Sequence, residues 1–337
     1  MMNLFQTYLV EEFAEEFTEG KLSRREALKL IGSVMGSAVL ASSFLAACAA
    51  PDEETPAGAN LLPTMQTQAG GTLPAAATAT VESAAGDTPT AGEQIPPTPE
   101  TAGTVSPDDP AVSATPVEFP DNGTMLKGYL AKPSQSGTFP VILVCHENRG
   151  LTEHIQDVTR RLAKAGYAAL AVDLLSRQGG SASLGSDQVP GALGNIEPAQ
   201  FASDFQSGYR YMLAQPYVQP ERVGMVGFCF GGGVTWLVAT AMPELKAAVP
   251  FYGPPPPIED VPKINAAVLA IYGALDERIN STIPAIEEAM KANHKIYEKV
   301  IYPDADHAFH NDTSSRYNPQ AAQDAWRRTL EWFGRYV

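Results

Sequence analysis

From residue 125 onward, short apolar runs alternate with stretches in which apolar residues recur every three or four positions. Residues 125–132 (MLKGYLAK) read as a strand, closed by a turn over 133–137. After Pro140 comes Val141-Ile142-Leu143-Val144-Cys145, a continuous apolar run of the kind that parallel sheets bury on both faces. A helical pattern over 155–165 stops at Gly166, and a strand follows at 168–172. Residues 178–194 are polar and Gly-rich, and 198–214 form a longer helix. Strands follow at 222–228, 247–251, 267–272 and 295–302, with a helix after Gly231 and a closing helix at 319–336. Strands alternating with helices predict an α/β fold with a mostly parallel sheet flanked by helices. Such sheets bind ligands beyond the carboxyl ends of their strands, so the residues just after each strand are the first candidates for chemistry.

The N-terminal third follows different rules. Leu4, Phe5, Tyr8, Leu9, Phe13 and Phe17 mark one face of an amphipathic helix, to which the pattern assigns no role. Ser23-Arg24-Arg25-Glu26-Ala27-Leu28-Lys29 resembles a twin-arginine export signal, and an apolar, Ala/Ser/Gly-rich run over 30–47 follows it. That run ends in Leu45-Ala46-Ala47-Cys48, which resembles the lipobox at which bacterial lipoproteins are cleaved and acylated. Residues 1–48 are therefore expected to be an export signal lost with the helix it contains, leaving Cys48 as the lipidation site. The protein is then expected on the extracytoplasmic side, held to the membrane by its lipid. An uncleaved apolar anchor is the alternative, since about 18 apolar residues suffice to span a bilayer.

Charge separates what comes next. From Cys48 through Glu118 there are ten acidic residues and no Lys or Arg, whereas residues 119–337 carry 22 acidic and 19 basic groups. Most of the net charge of −15 thus sits on a Pro/Thr/Ala-rich segment over 49–115, which cannot bury enough apolar surface to offset the entropy of ordering. It reads as a disordered linker, with a folded domain over 116–337. No basic cluster points to nucleic acid. Three cysteines, Cys48, Cys145 and Cys229, are too few for a disulfide scaffold. Cys145 reads as a buried free thiol, although it ends a strand expected beside that of Cys229.

The sharpest motif is Gly227-Phe228-Cys229-Phe230-Gly231-Gly232-Gly233, placed straight after a strand and opening a helix. It has the Gly-x-nucleophile-x-Gly form of a nucleophile elbow, with Cys in the place of Ser. Asp276 follows the strand ending Ile271-Tyr272-Gly273, and His307 follows the last strand within Pro303-Asp304-Ala305-Asp306-His307. Nucleophile, acid and His in that chain order suit a triad in which Asp276 orients His307 and His307 activates Cys229. Glu277, Asp304 and Asp306 compete for the place of the acid, and His310 for that of the base.

Together, GFCFGG, HENRG after the first buried strand, Asp173-Leu174-Leu175-Ser176-Arg177 after the next, YGALDERI and DADHAFHND make residues 123–337 resemble the dienelactone hydrolase family of the α/β-hydrolase superfamily. The resemblance implies a cysteine-dependent hydrolase of ester or lactone bonds working through an acyl-thioester on Cys229. It assigns nucleophile activation to Glu147, the oxyanion hole to the backbone N–H groups of Asn148 and Phe230, and a grip on a substrate carboxylate to Arg177. Each oxyanion donor is worth about 3 kcal/mol. Asn311 stands where well-known members carry a second carboxylate-binding Arg. The reaction type is therefore better supported than dienelactone as substrate. No metal or organic cofactor is implied; the partners are a small-molecule ester or lactone and the membrane. The rival readings are a broad carboxylesterase or thioesterase, and a non-catalytic surface-binding lipoprotein. The 178–194 stretch reads as a surface loop or a flap over the site.

Overall fold

The computed structural model describes residues 2–48 and 103–337. The linker expected over 49–115 falls largely outside these residues. Its last part does not, and there the chain is already ordered. Val105 is buried; its N–H donates to Asp157 Oδ1 at 2.7 Å and its carbonyl accepts from Arg160 Nε at 2.7 Å. The boundary expected at residue 116 lies inside β1 (Val112–Asp121). This strand forms a hairpin with β2 (Thr124–Pro133) through Asn122-Gly123, both at positive φ as a tight two-residue hairpin turn requires. Pro116 and Pro120 are tolerated because β1 lies at the sheet edge.

The sheet has eight strands in the order β1-β2-β4-β3-β5-β6-β7-β8. The others are β3 (Phe139–Cys145), β4 (Ala168–Asp173), β5 (Val218–Phe228), β6 (Ala247–Phe251), β7 (Ala267–Gly273) and β8 (Tyr297–Tyr302). The β1–β2 and β2–β4 pairs are antiparallel; all pairs from β4 through β3 to β8 are parallel. Every residue of β4, β6 and β7 is buried, which explains their unbroken apolar sequences. Helices α4 (Glu153–Lys164), α6 (Pro198–Leu213), α7 (Phe230–Ala241), α9 (Ile283–Ala292) and α10 (Pro319–Tyr336) flank the sheet, giving the expected α/β architecture. The short α5 (Val189–Gly194) and α8 (Glu277–Asn280) lie in connections.

Three further helices precede the domain and pack on it as part of the same unit: α1 (Leu4–Thr18), α2 (Arg24–Met35) and α3 (Ala38–Cys48). Asn3 and Ser23 cap α1 and α2 through capping boxes. The apolar run over 30–47 is split between α2 and α3 by Gly36, which is left-handed at φ 68°. Among the described residues no helix is long and apolar enough to cross a membrane. Arg24 and Arg25 are exposed. The 178–194 stretch, read as a loop or flap, forms a short 3-10 turn (Ser181–Ser183) and α5; α5 is covered by α2, with the Ser33 side chain against Gly191.

Candidate active site

The strand ends assemble the site. β5 ends at Phe228 and α7 begins at Phe230, leaving Cys229 at φ 58°, ψ −122°, a conformation that L residues adopt only under strain. Close packing enforces the turn: a Cβ on Gly227 would meet the Gly231 carbonyl oxygen at 2.1 Å, and one on Gly231 would meet the His146 carbonyl oxygen at 2.4 Å. The second contact also brings the loop after β3 against the elbow. Phe230 is the first residue of α7, so its N–H has no partner within the helix. Asn148, whose N–H is the other expected oxyanion donor, lies buried in that neighbouring loop.

Asp276 follows β7 and caps α8, accepting from the Ile279 N–H at 3.2 Å. Its Oδ2 is 2.6 Å from His307 Nδ1, and both side chains are buried. Among the candidate acids it is Asp276, and among the candidate bases His307, that make this contact. Asp306 instead accepts the His307 N–H. The His310 ring stacks on Phe228 at 5.0 Å, and burial pushes its pKa down to about 3. For His307 burial opposes the charge, but Asp276 and Cys229 together outweigh it and hold the imidazole well above its ordinary pKa. Asp276 is lowered, because His307 and Arg278 outweigh its own burial. Burial pushes the Cys229 thiol up; the Glu12 carboxylate adds to this and His307 opposes it.

Glu147 lies in the loop after β3, buried, and Asn311 Nδ2 donates to its Oε2 at 2.8 Å. Burial raises its pKa to about 7 against the pull of His307 and Asn311. Asn311, noted as the departure from the Arg-bearing pattern, thus supports this carboxyl group. Cys145 pairs with Gly227 across β3 and β5; both Cys145 and Cys229 are free thiols, and burial raises Cys145 well above its ordinary range.

Arg177 corrects the expectation attached to it. Its Nη1 donates to both Asp204 oxygens at 2.7 and 2.8 Å, and its Nη2 pairs with Asp121. Both acids are buried, so the planar fork that would hold a substrate carboxylate is already committed to structure.

Three groups beside the elbow carried no sequence assignment. The Tyr8 hydroxyl of α1 is 3.2 Å from Cys229 Sγ and 3.3 Å from His307 Nε2. Glu12, one turn further along α1, is 3.6 Å from Sγ and 3.7 Å from Nε2. Tyr252, just past β6, is strained at φ 36° and buried, with its ring 4.9 Å from that of His307. The strand-end rule that finds Asp276 would also find Tyr252. Glu12 was legible only as a charge inside an apolar stripe. Ligand atoms of Glu12, Cys229 and His307 lie within 4.8 Å of one another, close enough to hold a metal ion. The Tyr8 hydroxyl is hydrogen-bonded to two of the three.

The parallel sheet, the strained turn after β5 and the paired Asp276 and His307 after later strands define an α/β-hydrolase fold. The dienelactone hydrolase family model matches residues 126–337, and the chain belongs to that family. It is 37% identical to the "Putative carboxymethylenebutenolidase" of Methylorubrum extorquens over 246 residues, 69% of this chain and 84% of the relative. A Klebsiella pneumoniae protein whose crystal structure is described as that of a "Putative Dienelactone Hydrolase" is 34% identical with a TM-score of 0.63, covering 67% of this chain and 100% of that one. A dienelactone hydrolase-like promiscuous phosphotriesterase from metagenomic libraries is 28% identical with a TM-score of 0.58, covering 67% and 99%. The chain is accordingly a hydrolase acting on lactone or ester bonds. The family match begins at residue 126, so α1, α2 and α3 lie outside it.

Proposed function

We propose that this hydrolase works through Cys229 as nucleophile, with His307 as base and Asp276 as its orienting acid. The observation that carries the reading is the 2.6 Å contact between Asp276 Oδ2 and His307 Nδ1, which leaves Nε2 facing the elbow cysteine. With an ester bound, Nε2 takes the thiol proton and Sγ attacks the carbonyl carbon. The charge on the tetrahedral oxygen is held by the N–H groups of Phe230 and Asn148. As the carbonyl reforms, the alkoxide leaves with the proton from His307, and a thioester remains on Cys229. His307 then takes a proton from water, the hydroxide attacks the thioester, and the acid departs as the thiol is restored. Glu147, buried and held by Asn311, is the third titratable group and assists activation of the thiol.

A small ester or lactone is the substrate. The commitment of Arg177 to Asp121 and Asp204 favours the broader carboxylesterase reading over one restricted to dicarboxylate lactones. The Leu45-Ala46-Ala47-Cys48 sequence supports an exported lipoprotein anchored through Cys48. The test is mass spectrometry of the protein quenched during turnover of an ester and lactone panel. An acyl adduct on Cys229, absent from Cys229→Ala together with hydrolysis, is expected. Turnover retained by Cys229→Ala would end the proposal.

A further inference from the structure

We propose that α1 is a resident plug of the active site, and that the enzyme is silent until this helix is displaced or removed. The inference rests on the reading of Cys229 as nucleophile. Phe5, Tyr8 and Glu12, spaced three and four residues apart, form one stripe of α1 that faces the elbow. Phe5 packs on Phe230 at 5.0 Å and on Phe201 at 5.1 Å, beside the expected oxyanion donor. Tyr8 and Glu12 then reach Cys229 and His307. Leu9 and Phe13 are fully buried alongside. One turn beyond Glu12 on the same face, ion pairs at 3.0 Å join Glu15 to Arg278 and Glu16 to Arg316, and the Arg278 guanidinium lies 4.7 Å over the Tyr8 ring.

This arrangement blocks catalysis in two ways. A carbonyl carbon must come within about 3–3.5 Å of the sulfur to react, and the Tyr8 oxygen already occupies that range at 3.2 Å. Cys229 and His307 are each only 4% exposed. The electrostatics oppose reaction as well. The Tyr8 hydroxyl hydrogen-bonds to both the nucleophile and the base, and the Glu12 carboxylate faces the sulfur on which negative charge must develop. A helix serving the reaction would leave the attack position open; α1 fills it. The plug also lies wholly within the segment proposed as an export signal. Hydrolysis of the Ala47–Cys48 peptide bond would cut α1 from the domain, coupling activity to maturation.

The experiment uses the full chain and reads Cys229 alkylation by iodoacetamide, mapped by peptide mass, beside hydrolysis of p-nitrophenyl acetate. Leu9→Asp/Phe13→Asp should release α1 and raise both rates by at least about tenfold, because reactivity follows the fraction of open molecules. Cys145, fully buried in β3, serves as the folding control and should stay unlabelled. If that variant exposes Cys145, Glu15→Lys/Glu16→Lys leaves the apolar contacts of α1 in place, breaks its ion pairs to Arg278 and Arg316, and should still accelerate Cys229 labelling. Equal Cys229 alkylation in the wild type and in the folded variants overturns the plug. Faster alkylation without any hydrolysis supports the plug and instead sinks the nucleophile reading.

Discussion

Arg177 holds Asp204 through a single nitrogen that donates to both carboxylate oxygens, and it spends its other edge on Asp121. These contacts tie the turn after β4 to α6 and to the end of β1. Burial raises Asp204 to about 6 even with Arg177 beside it. Removing the cation would leave the buried Asp204 unpaired and Asp121 with only Ser207, Asn122 and a 3.8 Å contact to Arg210; breaking a buried pair costs about 3 kcal/mol or more. Arg177→Ala should therefore lower the thermal midpoint by several degrees, while kcat/KM falls alike for acidic and neutral esters. Thermal melts and paired substrate kinetics check this. A selective loss on the acidic substrate at unchanged stability would return Arg177 to substrate binding.

Glu147 makes stability depend on pH in an unusual direction. Its carboxyl is raised from the usual 4.5 to about 7, first by burial and then by Glu12, against His307, Asn311 and Arg149. Between pH 4.5 and 7 the folded protein keeps a proton that the unfolded chain has lost, so this group's contribution declines as pH rises through that window. The full swing is roughly 3 kcal/mol. Glu147→Gln is neutral throughout and still offers Asn311 an oxygen. Urea unfolding at pH 5 and pH 7.5 should show the variant gaining on the wild type at the higher pH. A constant difference between the two would mean that Glu147 is ionised in the folded state across the range.

The parallel core was legible because its strands are buried on both faces and read as unbroken apolar runs, as in Val141 to Cys145. The Asp276–His307 pair was legible because both residues follow strand ends. The edge strand β1 was hidden by Pro116, Pro120 and a composition continuous with the linker, although Asn122-Gly123 marked its hairpin. Arg177 was misplaced because a motif fixes position along the chain but not which carboxylates come to meet it. Asp121 and Asp204 lie 56 and 27 residues away. The face of α1 was visible as a pattern, but its target is more than two hundred residues distant, beyond the reach of any local rule.

Export and lipidation are tested at Cys48. Cys48→Ser removes the thiol that an acyl chain requires, so the chain should remain a precursor and should leave the detergent phase on partitioning. If α1 is the plug, the same precursor should also be poorly active, linking two independent readouts to one residue. N-terminal mass spectrometry of the membrane fraction is the check. A wild-type chain that is cut elsewhere, or carries no acyl mass, would remove the lipoprotein proposal.

Asp276→Asn separates the catalytic role of this residue from its structural one. Asp276 caps α8 by accepting from the Ile279 N–H, and Asn is as good a cap, so the melting temperature should change little. The contact to His307 Nδ1 is different. The carboxylate can only accept there, which places the imidazole proton on Nδ1 and leaves Nε2 free to take one from Cys229. An amide can turn its NH2 toward Nδ1, moving the ring proton to Nε2 and removing the base. It also withdraws the charge that holds the imidazolium well above its ordinary pKa. On an α1-released background, turnover should fall by roughly 10²–10⁴-fold, the range expected when a general base is lost. Raising the pH should recover part of it, because a thiol, unlike a serine hydroxyl, can ionise unaided in alkaline solution. Turnover within threefold of the parent at pH 7 would show that His307 is oriented by something other than Asp276.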